Sequence, residues 1–285
     1  MIPVYLLQEL VTFADKRTLA ATADTLHVTQ PSITRGMQKL ETLLDVQLFE
    51  RQPNKIWLTK TGEYAAQQAK QLLDLQADLQ VKVKNFDHQQ RQLMIGMTIP
   101  GPRKLLQSYS SWLNAEIDSQ LLDNKNVVST LKDHVDSVVF TNFKVLDPAV
   151  TAVFIGHENL SVNIDQFTFQ ANQKTITFQE LRGRTFIVYS DIGPWRDLIQ
   201  REIPDAKFMY QSSDALSELI AHSHYPYFTT NLPTRINGLK EAPRNRVRIP
   251  ISDSQASMSI YANYLKTTQL PANLIATLKR DWPQN

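Results

Sequence analysis

The chain has 285 residues, a formal net charge of +2 and no cysteine. This length can hold two or three domains, each with a hydrophobic core. A sequence without cysteine excludes disulfides, thiolate metal sites, cysteine catalysis and thiol redox sensing. No apolar run approaches the roughly 18 residues of a membrane span, and residues 1–16 are typical of an amphipathic helix and not of a signal peptide. These features predict a cytoplasmic protein with no membrane partner.

The first predicted helix covers residues 4–14. Its apolar residues recur at helical spacing and share one face, namely Val4, Leu7, Leu10, Val11 and Ala14. We expect this face to pack against the helices that follow, which gives the segment a structural role.

Two short helices follow in succession. Thr18 can cap the first, which carries Leu19, Ala23 and Leu26 at helical spacing. After a turn at His27 and Val28, Thr29 can cap the second, and Pro31 fits its first turn because no N–H is needed there. The apolar residues of the second helix predict a buried face: Ile33, Met37, Leu40 and Leu44.

The opposite face of the second helix is polar and carries few carboxylates. Its residues are Gln30, Ser32, Thr34, Arg35, Gln38 and Lys39. Side chains of this kind can read base edges when a helix enters the major groove. The helix pair therefore predicts a DNA reader.

A basic hairpin is predicted after the helix pair, with strands at residues 49–51 and 55–59. Arg51, Lys55 and Lys60 lie in this stretch with no acidic residue between them, although residues 1–90 contain equal numbers of basic and acidic residues. Charge distribution, and not bulk charge, therefore favours DNA; the alternative is a solvated basic loop. The predicted DNA contacts are Thr18, Thr29, Gln30, Ser32, Thr34, Arg35, Lys39, Arg51, Asn54, Lys55 and Lys60.

The segment LHVTQPSITRGMQKLETLLDVQLFER, with LTKTGEYAAQQAKQLL after it, resembles the winged helix-turn-helix of LysR-type transcriptional regulators. QPS followed by LE, LFER and LTKTG is a specific pattern. The resemblance implies a multidomain fold: an α winged helix-turn-helix at 1–60, a linker and dimerisation helix at 61–88, and a two-lobed α/β effector domain like that of periplasmic binding proteins. It also implies a double-stranded DNA operator, a small-molecule effector and the transcription machinery as partners, and no cofactor.

Three positions depart from the family pattern. Asp45 stands where members usually have glycine, and aspartate tolerates the left-handed backbone better than most residues. The stretch around Ala21 lacks the usual basic residue, which predicts weaker phosphate contact there. Gly36 lies inside the second helix, where it costs about 1 kcal/mol relative to alanine; either the helix approaches something closely at this point, or packing of neighbouring residues tolerates the cost.

A long helix is predicted from Thr61. Apolar residues at alternating steps of four and three form a heptad seam: Ala65, Ala69, Leu72, Gln76, Leu79, Val83 and Phe86. The seam predicts a homodimer, in which Gln76 would fix the register between two chains. The alternative is an amphipathic helix packed on its own domain. The resemblance further implies that dimers can pair into tetramers.

The pattern after residue 91 alternates between strands and helices and predicts an α/β architecture. The predicted strands are 93–98, 120–123, 135–141, 160–164, 186–189, 208–210, 227–230 and 257–264, and the predicted helices are 102–117, 127–133, 195–201, 214–222 and one opening at Pro271. The resemblance implies lobe I at 91–156 and 259–285, lobe II at 157–258, and crossovers near residues 154–158 and Met258.

Two-lobed sheets bind small molecules beyond the carboxyl ends of their strands. The candidate effector contacts at these ends are Thr98, Ile99, Pro100, Gly101, Arg103, Thr141, Asn142, Ser190, Asp191, Ser212, Ser213, Thr229 and Thr230. Each could instead be a helix cap or turn residue, as Ser212 and Ser213 illustrate. The chemistry stays open, because hydroxyls and Arg103 suit an anion whereas nearby aromatic residues suit an apolar body.

No catalytic or metal-binding pattern is present in the sequence. It contains no GxSxG, P-loop or GxGxxG, and its histidines lack metal-ligand spacing with carboxylates. The sequence therefore predicts neither an enzyme nor a metalloprotein. The alternatives to an effector-controlled regulator are a cytoplasmic ligand-binding protein and an architectural DNA binder without effector control.

Overall fold

The computed structural model describes residues 1–53, 55–232 and 245–283. The chain divides into two compact units, Met1–Lys84 and Asn85–Asn285. Among the described residues, no helix combines the length and the apolar character that crossing a membrane requires.

The first unit is built from helices and one hairpin. Its elements are α1 (Val4–Lys16), α2 (Leu19–Leu26), α3 (Gln30–Leu44), β1 (Phe49–Gln52), β2 (Lys55–Leu58) and the start of α4 (Lys60–Arg91). The predicted caps are confirmed, because the Thr18 side chain accepts a hydrogen bond from the Ala21 amide and Thr29 accepts one from the Ser32 amide. β1 and β2 pair antiparallel, with Phe49 opposite Leu58.

The core of the first unit lies between α1, α3 and the hairpin. Its fully buried side chains include Leu6, Leu10, Phe13, Ile33, Met37, Leu40, Leu48 and Phe49. Two residues predicted on buried faces are exposed instead, Val4 at 38% and Leu44 at 36%. Both lie in the end turns of their helices, beyond the reach of the packed core.

The structure of the first unit explains two of the positions that depart from the family pattern. Asp45 adopts the left-handed conformation predicted for it, with φ of 53°, and ends α3. Gly36 faces Glu9, whose Oε2 lies 1.7 Å from the position of an added Cβ. The close-approach interpretation of Gly36 is therefore the right one of the two.

Helix α4 is much longer than its packing within the first unit requires. Ala65 and Ala69 of the predicted seam pack against the core of that unit. Further along, Leu72, Leu79 and Val83 are 55%, 60% and 60% exposed. The first turns of the seam are thus covered by the chain's own domain, as the alternative interpretation expected, whereas the later turns leave an apolar face open.

The second unit alternates strands and helices. Its strands are β3 (Leu93–Met97), β4 (Ala115–Ile117), β5 (Val138–Thr141), β6 (Val150–Asp165), β7 (Thr185–Tyr189), β8 (Lys207–Gln211), β9 (Tyr227–Thr230), β10 (Arg246–Pro250) and β11 (Ser257–Leu265). Its helices after α4 are α5 (Gly101–Gln107), α6 (Val127–Lys132), α7 (Trp195–Glu202), α8 (Ser213–His222) and α9 (Leu274–Asp281).

Several predicted elements of the second unit are wrong. The helix predicted at 102–117 ends at Gln107, because the backbone turns through Ser108 and the chain then enters β4 beside β3. The strand predicted at 120–123 does not form, since the Asp118 carboxylate accepts the Gln120 amide and makes a turn. The last helix begins at Leu274 and not at Pro271.

The strand predicted at 160–164 is only the end of β6, a strand of 16 residues. Residues 150–159 of β6 pair with β11, whereas its last residues pair with β9 and β10. The sheet order is β4-β3-β5-β11-β6-β9-β7-β8, with β10 also on β6. β6 changes partners after Asn159, beside the predicted crossover, and we keep the two lobes with bounds near this point as a proposal.

Candidate functional site

The polar face of α3 is open to solvent. Gln30, Arg35, Gln38 and Lys39 are exposed, while Ser32 and Thr34 are half-buried. Two of these side chains fold back on their own helix, since Thr34 Oγ1 donates to the Gln30 carbonyl oxygen at 3.1 Å and Arg35 Nε donates to the Pro31 carbonyl oxygen at 3.3 Å. The Arg35 side chain as a whole is exposed.

Tyr5 of α1 extends the polar surface of α3, a residue that the sequence reasoning missed. Lys39 Nζ donates to the Tyr5 hydroxyl at 3.1 Å and lies 5.7 Å from the centroid of its ring. Tyr5 is 47% exposed. The contact holds the Lys39 ammonium in one direction at the edge of the α3 face, where Lys39 was predicted to contact DNA.

Glu41 fixes the base of the hairpin to α3. Its Oε1 accepts the Leu48 and Phe49 amides at 2.8 and 3.0 Å, and its Oε2 accepts Arg51 Nη2 at 2.8 Å. Burial opposes ionisation, but these hydrogen bonds outweigh it and lower the pKa of Glu41. The charge of Arg51 is therefore engaged within the domain, so a contact of Arg51 with DNA, as predicted, would compete with its ion pair to Glu41.

The other predicted DNA contacts differ in whether their side chains are exposed or used within the fold. Lys55 is exposed, with its Nζ 5.6 Å from the ring centroid of Trp57, and Lys60 is exposed at the start of α4. Thr18 and Thr29 use their hydroxyls as helix caps. Asn54 lies outside the described residues.

The predicted effector residues occupy three kinds of environment. Thr98 and Ile99 are buried, whereas Ser190 and Ser212 are exposed. Asn142 is half-buried and its Oδ1 lacks a hydrogen-bond partner. The side chain of Ser213 lies outside the described residues, although its backbone opens α8.

Two of the predicted threonines serve the fold itself. Thr141 Oγ1 donates to the Phe143 carbonyl oxygen and accepts Asn263 Nδ2 at 2.8 Å, with the whole side chain buried. Thr229 Oγ1 accepts Asn163 Nδ2 at 2.8 Å. The Thr141 hydroxyl both donates and accepts within the fold, and the Thr229 oxygen accepts an internal bond, so we leave both out of the proposed ligand contacts.

Segments from the two proposed lobes approach each other at the ends of β3 and β7. Arg103 Nη1 of α5 lies 3.6 Å from Asp191 Oδ2, which follows β7. Gly193 has φ of 56°, and a Cβ added there would lie 2.9 Å from Pro100 Cδ. At Gly101 an added Cβ would meet Glu158 Oε2 at 2.4 Å and Leu232 at 2.7 Å. We call this region the interlobe cleft.

Glu158, in the middle of β6, is the main polar group of the cleft that sequence reasoning missed. It is 2% exposed, and burial raises its pKa to about 7 against the opposing effect of the Thr230 and Trp195 side chains. A glutamate among the mixed polar and apolar residues of β6 gave no periodic signal, because its burial depends on packing from α5, α7 and β9. Thr230, which alternates with Thr229 along β9, is the predicted threonine that faces it. Within the described part of the chain, no group of three or more histidine, cysteine, aspartate or glutamate residues is placed to hold a metal ion.

The fold and the open α3 face define a winged helix-turn-helix DNA-binding protein with an appended α/β unit. The family model described as bacterial regulatory helix-turn-helix protein, lysR family, matches residues 5–63. The N-terminal unit is therefore a helix-turn-helix domain of the LysR family.

Individual relatives extend the match beyond the first unit. The regulator DgcR of a Pseudoalteromonas species is 21% identical over 211 residues, covering 70% of this chain and 72% of the relative. A probable cat1 operon transcriptional activator of Acinetobacter lwoffii is 26% identical over 186 residues, which cover 63% of this chain and only 61% of the relative. A full-length OxyR variant from Pseudomonas aeruginosa shares the fold, with a TM-score of 0.50 at 17% identity over 98% of this chain and 95% of that one.

Proposed function

We propose that this transcriptional regulator binds a near-palindromic operator through α3 and the β1–β2 hairpin, and that a small molecule in the interlobe cleft controls it. It acts on chromosomal DNA, so we place it in the cytoplasm, and we assign it no catalytic activity. The proposed DNA contacts are the predicted ones, with Arg35 and its neighbours on base edges and Lys39, Lys55 and Lys60 on the backbone.

One observation carries the DNA-binding proposal: α3 has one face buried in the core and a polar face turned to solvent. The helix is held against the core by three buried side chains, Ile33, Met37 and Leu40. The polar side chains then protrude from a rigid support, as helix insertion into a major groove requires. The regulator is near-neutral over its first 90 residues, so we expect few phosphate contacts and a shallow salt dependence.

We also propose that α4 forms the dimer contact. Leu72, Leu79, Val83 and Phe86 are all more than half exposed on this helix, and an open apolar seam on a long helix is typical of pairing between two chains. Leu79→Asp should convert a dimer to a monomer in sedimentation, while Gln80→Asp, at an exposed position, should not. A monomeric wild type would contradict this part of the proposal.

Selection of duplexes from a random pool by the purified chain tests the main proposal. We expect enrichment of a near-palindromic sequence at moderate salt. A folded protein that enriches no sequence would overturn it. A thermal-shift screen of metabolites then separates effector control from the architectural alternative, which predicts sequence-preferring DNA binding and no compound that changes it.

A further inference from the structure

The interlobe cleft contains buried polar atoms without partners. Hydrogen-bond partners are missing for Thr98 Oγ1, Glu158 Oε2, Trp195 Nε1 and Thr230 Oγ1, and all four residues are at most 8% exposed. Buried polar groups in native proteins nearly always have a partner, and each exception calls for an explanation such as a ligand or a water. The Thr230 and Trp195 side chains do lie beside the Glu158 carboxyl and favour its ionised form, but none of the four atoms makes a hydrogen bond of normal geometry. An occupant that completes these bonds would explain the arrangement.

The acidic pole of this region is Glu158. Its Oε2 borders Gly101, where an added Cβ would lie only 2.4 Å away, so the carboxyl reaches the N-terminal turn of α5. The neighbours identified around it, Thr230 from β9, Trp195 from α7, Gly101 and Leu232, carry no charge. A carboxylate in such surroundings is strongly disfavoured unless a cation joins it.

The basic pole is Arg103, two residues after Gly101 on α5. Its side chain is 18% exposed, and its Nε and Nη2 are buried without hydrogen-bond partners. The long contact from Nη1 to Asp191, at 3.6 Å, leaves the fork of the guanidinium open. Paired donors of this kind match the two oxygens of a carboxylate.

We propose that the interlobe cleft binds a small zwitterion of the amino-acid class, with its ammonium on Glu158 and its carboxylate on Arg103. This proposal rests on the proposed effector function and names the chemistry of its ligand. The unpartnered hydroxyls of Thr98 and Thr230 and the Trp195 indole N–H supply further contacts between the two poles. A pure carboxylate would satisfy Arg103 and leave Glu158 unpartnered, and a pure amine would do the reverse.

Proton linkage distinguishes this ligand from others. Burial raises the pKa of Glu158 to about 7, so the empty cleft holds a largely neutral carboxyl below that pH. An ammonium beside it favours the carboxylate, and binding therefore releases a proton. The affinity should be constant above pH 7 and fall by up to about tenfold per pH unit below it.

Calorimetry on the full-length protein tests the proposal. The probes are the twenty common amino acids, β-alanine, 4-aminobutyrate and ornithine, and for the best of them the matched 2-oxo acid and the matched amine without carboxylate. We expect one amino acid to bind at least tenfold more tightly than either matched compound, with proton release at pH 6. Binding of the 2-oxo acid with equal affinity, or no binding by any probe, would overturn the proposal.

Two variants and one control connect binding to the residues. Glu158→Gln should lower the affinity for the best amino acid at least tenfold and abolish the pH dependence of that affinity. Arg103→Gln should also lower the affinity but preserve proton release on binding. Glu116→Gln removes an exposed carboxylate of β4 and should change nothing. Binding that survives Glu158→Gln with its pH dependence intact contradicts the proposal.

DNA binding provides the separate control for the proposed function. Suppose that every variant still selects the same operator and that another class of compound shifts the affinity of the protein for it. The regulator function then stands, and the proposal of a zwitterionic ligand is wrong. If wild type selects no operator, the proposed function itself fails. If Glu158→Gln alters only the pH dependence of stability and no probe binds, the cleft holds water only and the zwitterion is again wrong.

Discussion

The two units of this regulator place their functional polar groups in opposite ways. In the first unit, the α3 side chains that could meet DNA are exposed or half-buried over a buried apolar face. In the second unit, the groups of greatest interest, Glu158 and Thr98, are almost wholly buried. A DNA reader must meet a large rigid partner from outside, whereas a small ligand is enclosed, so the physical signs of function differ between the two.

The largest effect of a substitution on the unfolding free energy is expected in the second unit. Glu158→Gln should remove a pH dependence of stability, because a carboxyl whose pKa is raised from 4.5 to about 7 stabilises the fold fully below pH 4.5 and loses that contribution as pH rises through 7. The loss amounts to about 3 kcal/mol at most. The difference in unfolding free energy between wild type and variant, followed between pH 4.5 and 8 by tryptophan fluorescence, measures it.

Glu116→Gln is the matched control for this experiment, since it removes the same charge from an exposed position. Its difference curve should be flat. A flat curve for Glu158→Gln as well would mean that the Glu158 carboxyl is not desolvated in solution.

The first unit offers a contrast between two glycines. A Cβ at Gly62 would lie 2.1 Å from the backbone oxygen of Leu48, whereas one at Gly36 would meet only the end of the Glu9 side chain. The Leu48 backbone cannot move aside, so Gly62→Ala should cost about 1–3 kcal/mol of unfolding free energy through overpacking. Glu9 can swing outward, and Gly36→Ala should stay within about 1 kcal/mol of wild type because alanine also favours the helix.

Denaturant unfolding of both variants measures this contrast. Burial raises the pKa of the Glu9 carboxyl, so its release to solvent in Gly36→Ala should also be easier above that pKa. Equal losses in the two variants would show that α3 cannot accommodate movement of Glu9.

A smaller effect is expected where the hairpin meets α3. Glu41→Gln keeps the shape of the side chain but weakens its bonds to Arg51 and to the Leu48 and Phe49 amides. The loss should be about 1 kcal/mol, the typical net contribution of one hydrogen bond. It should disappear in acid, because the lowered pKa of Glu41 means that its stabilising contribution is lost as pH falls through that pKa. Thermal unfolding of both proteins, followed from pH 7 downward into acid, measures the difference.

The contrast between the units also explains which predictions succeeded. Local signals sufficed for the first unit: Thr18 and Thr29 cap their helices as predicted, and Asp45 takes the left-handed turn. The failure at residues 102–117 came from pairing with another strand, since β4 forms only because it lies beside β3, whereas residues 120–123 are diverted by the turn that the Asp118 side chain makes.

The burial of isolated polar groups was the other feature that could not be predicted from the sequence. Glu158 lies in a strand whose exposure changes along its length as β6 passes from β11 to β9 and β10. No local pattern distinguishes such a residue from a surface glutamate. The internal hydrogen bond of Thr141 was missed for a related reason, because its partner, Asn263, is 122 positions away in the sequence.

The measurement that tests the central claim most directly compares Arg35→Ala and Lys55→Ala on the selected operator and on unrelated DNA. Each good base contact is worth roughly 1–3 kcal/mol of discrimination, so Arg35→Ala should bring the two affinities together. Lys55→Ala should weaken both alike and reduce the salt slope by about one unit, and Lys174→Ala, at an exposed position, should leave both unchanged. Equal losses for Arg35→Ala and Lys55→Ala on every sequence would contradict the assignment of α3 as the reading helix.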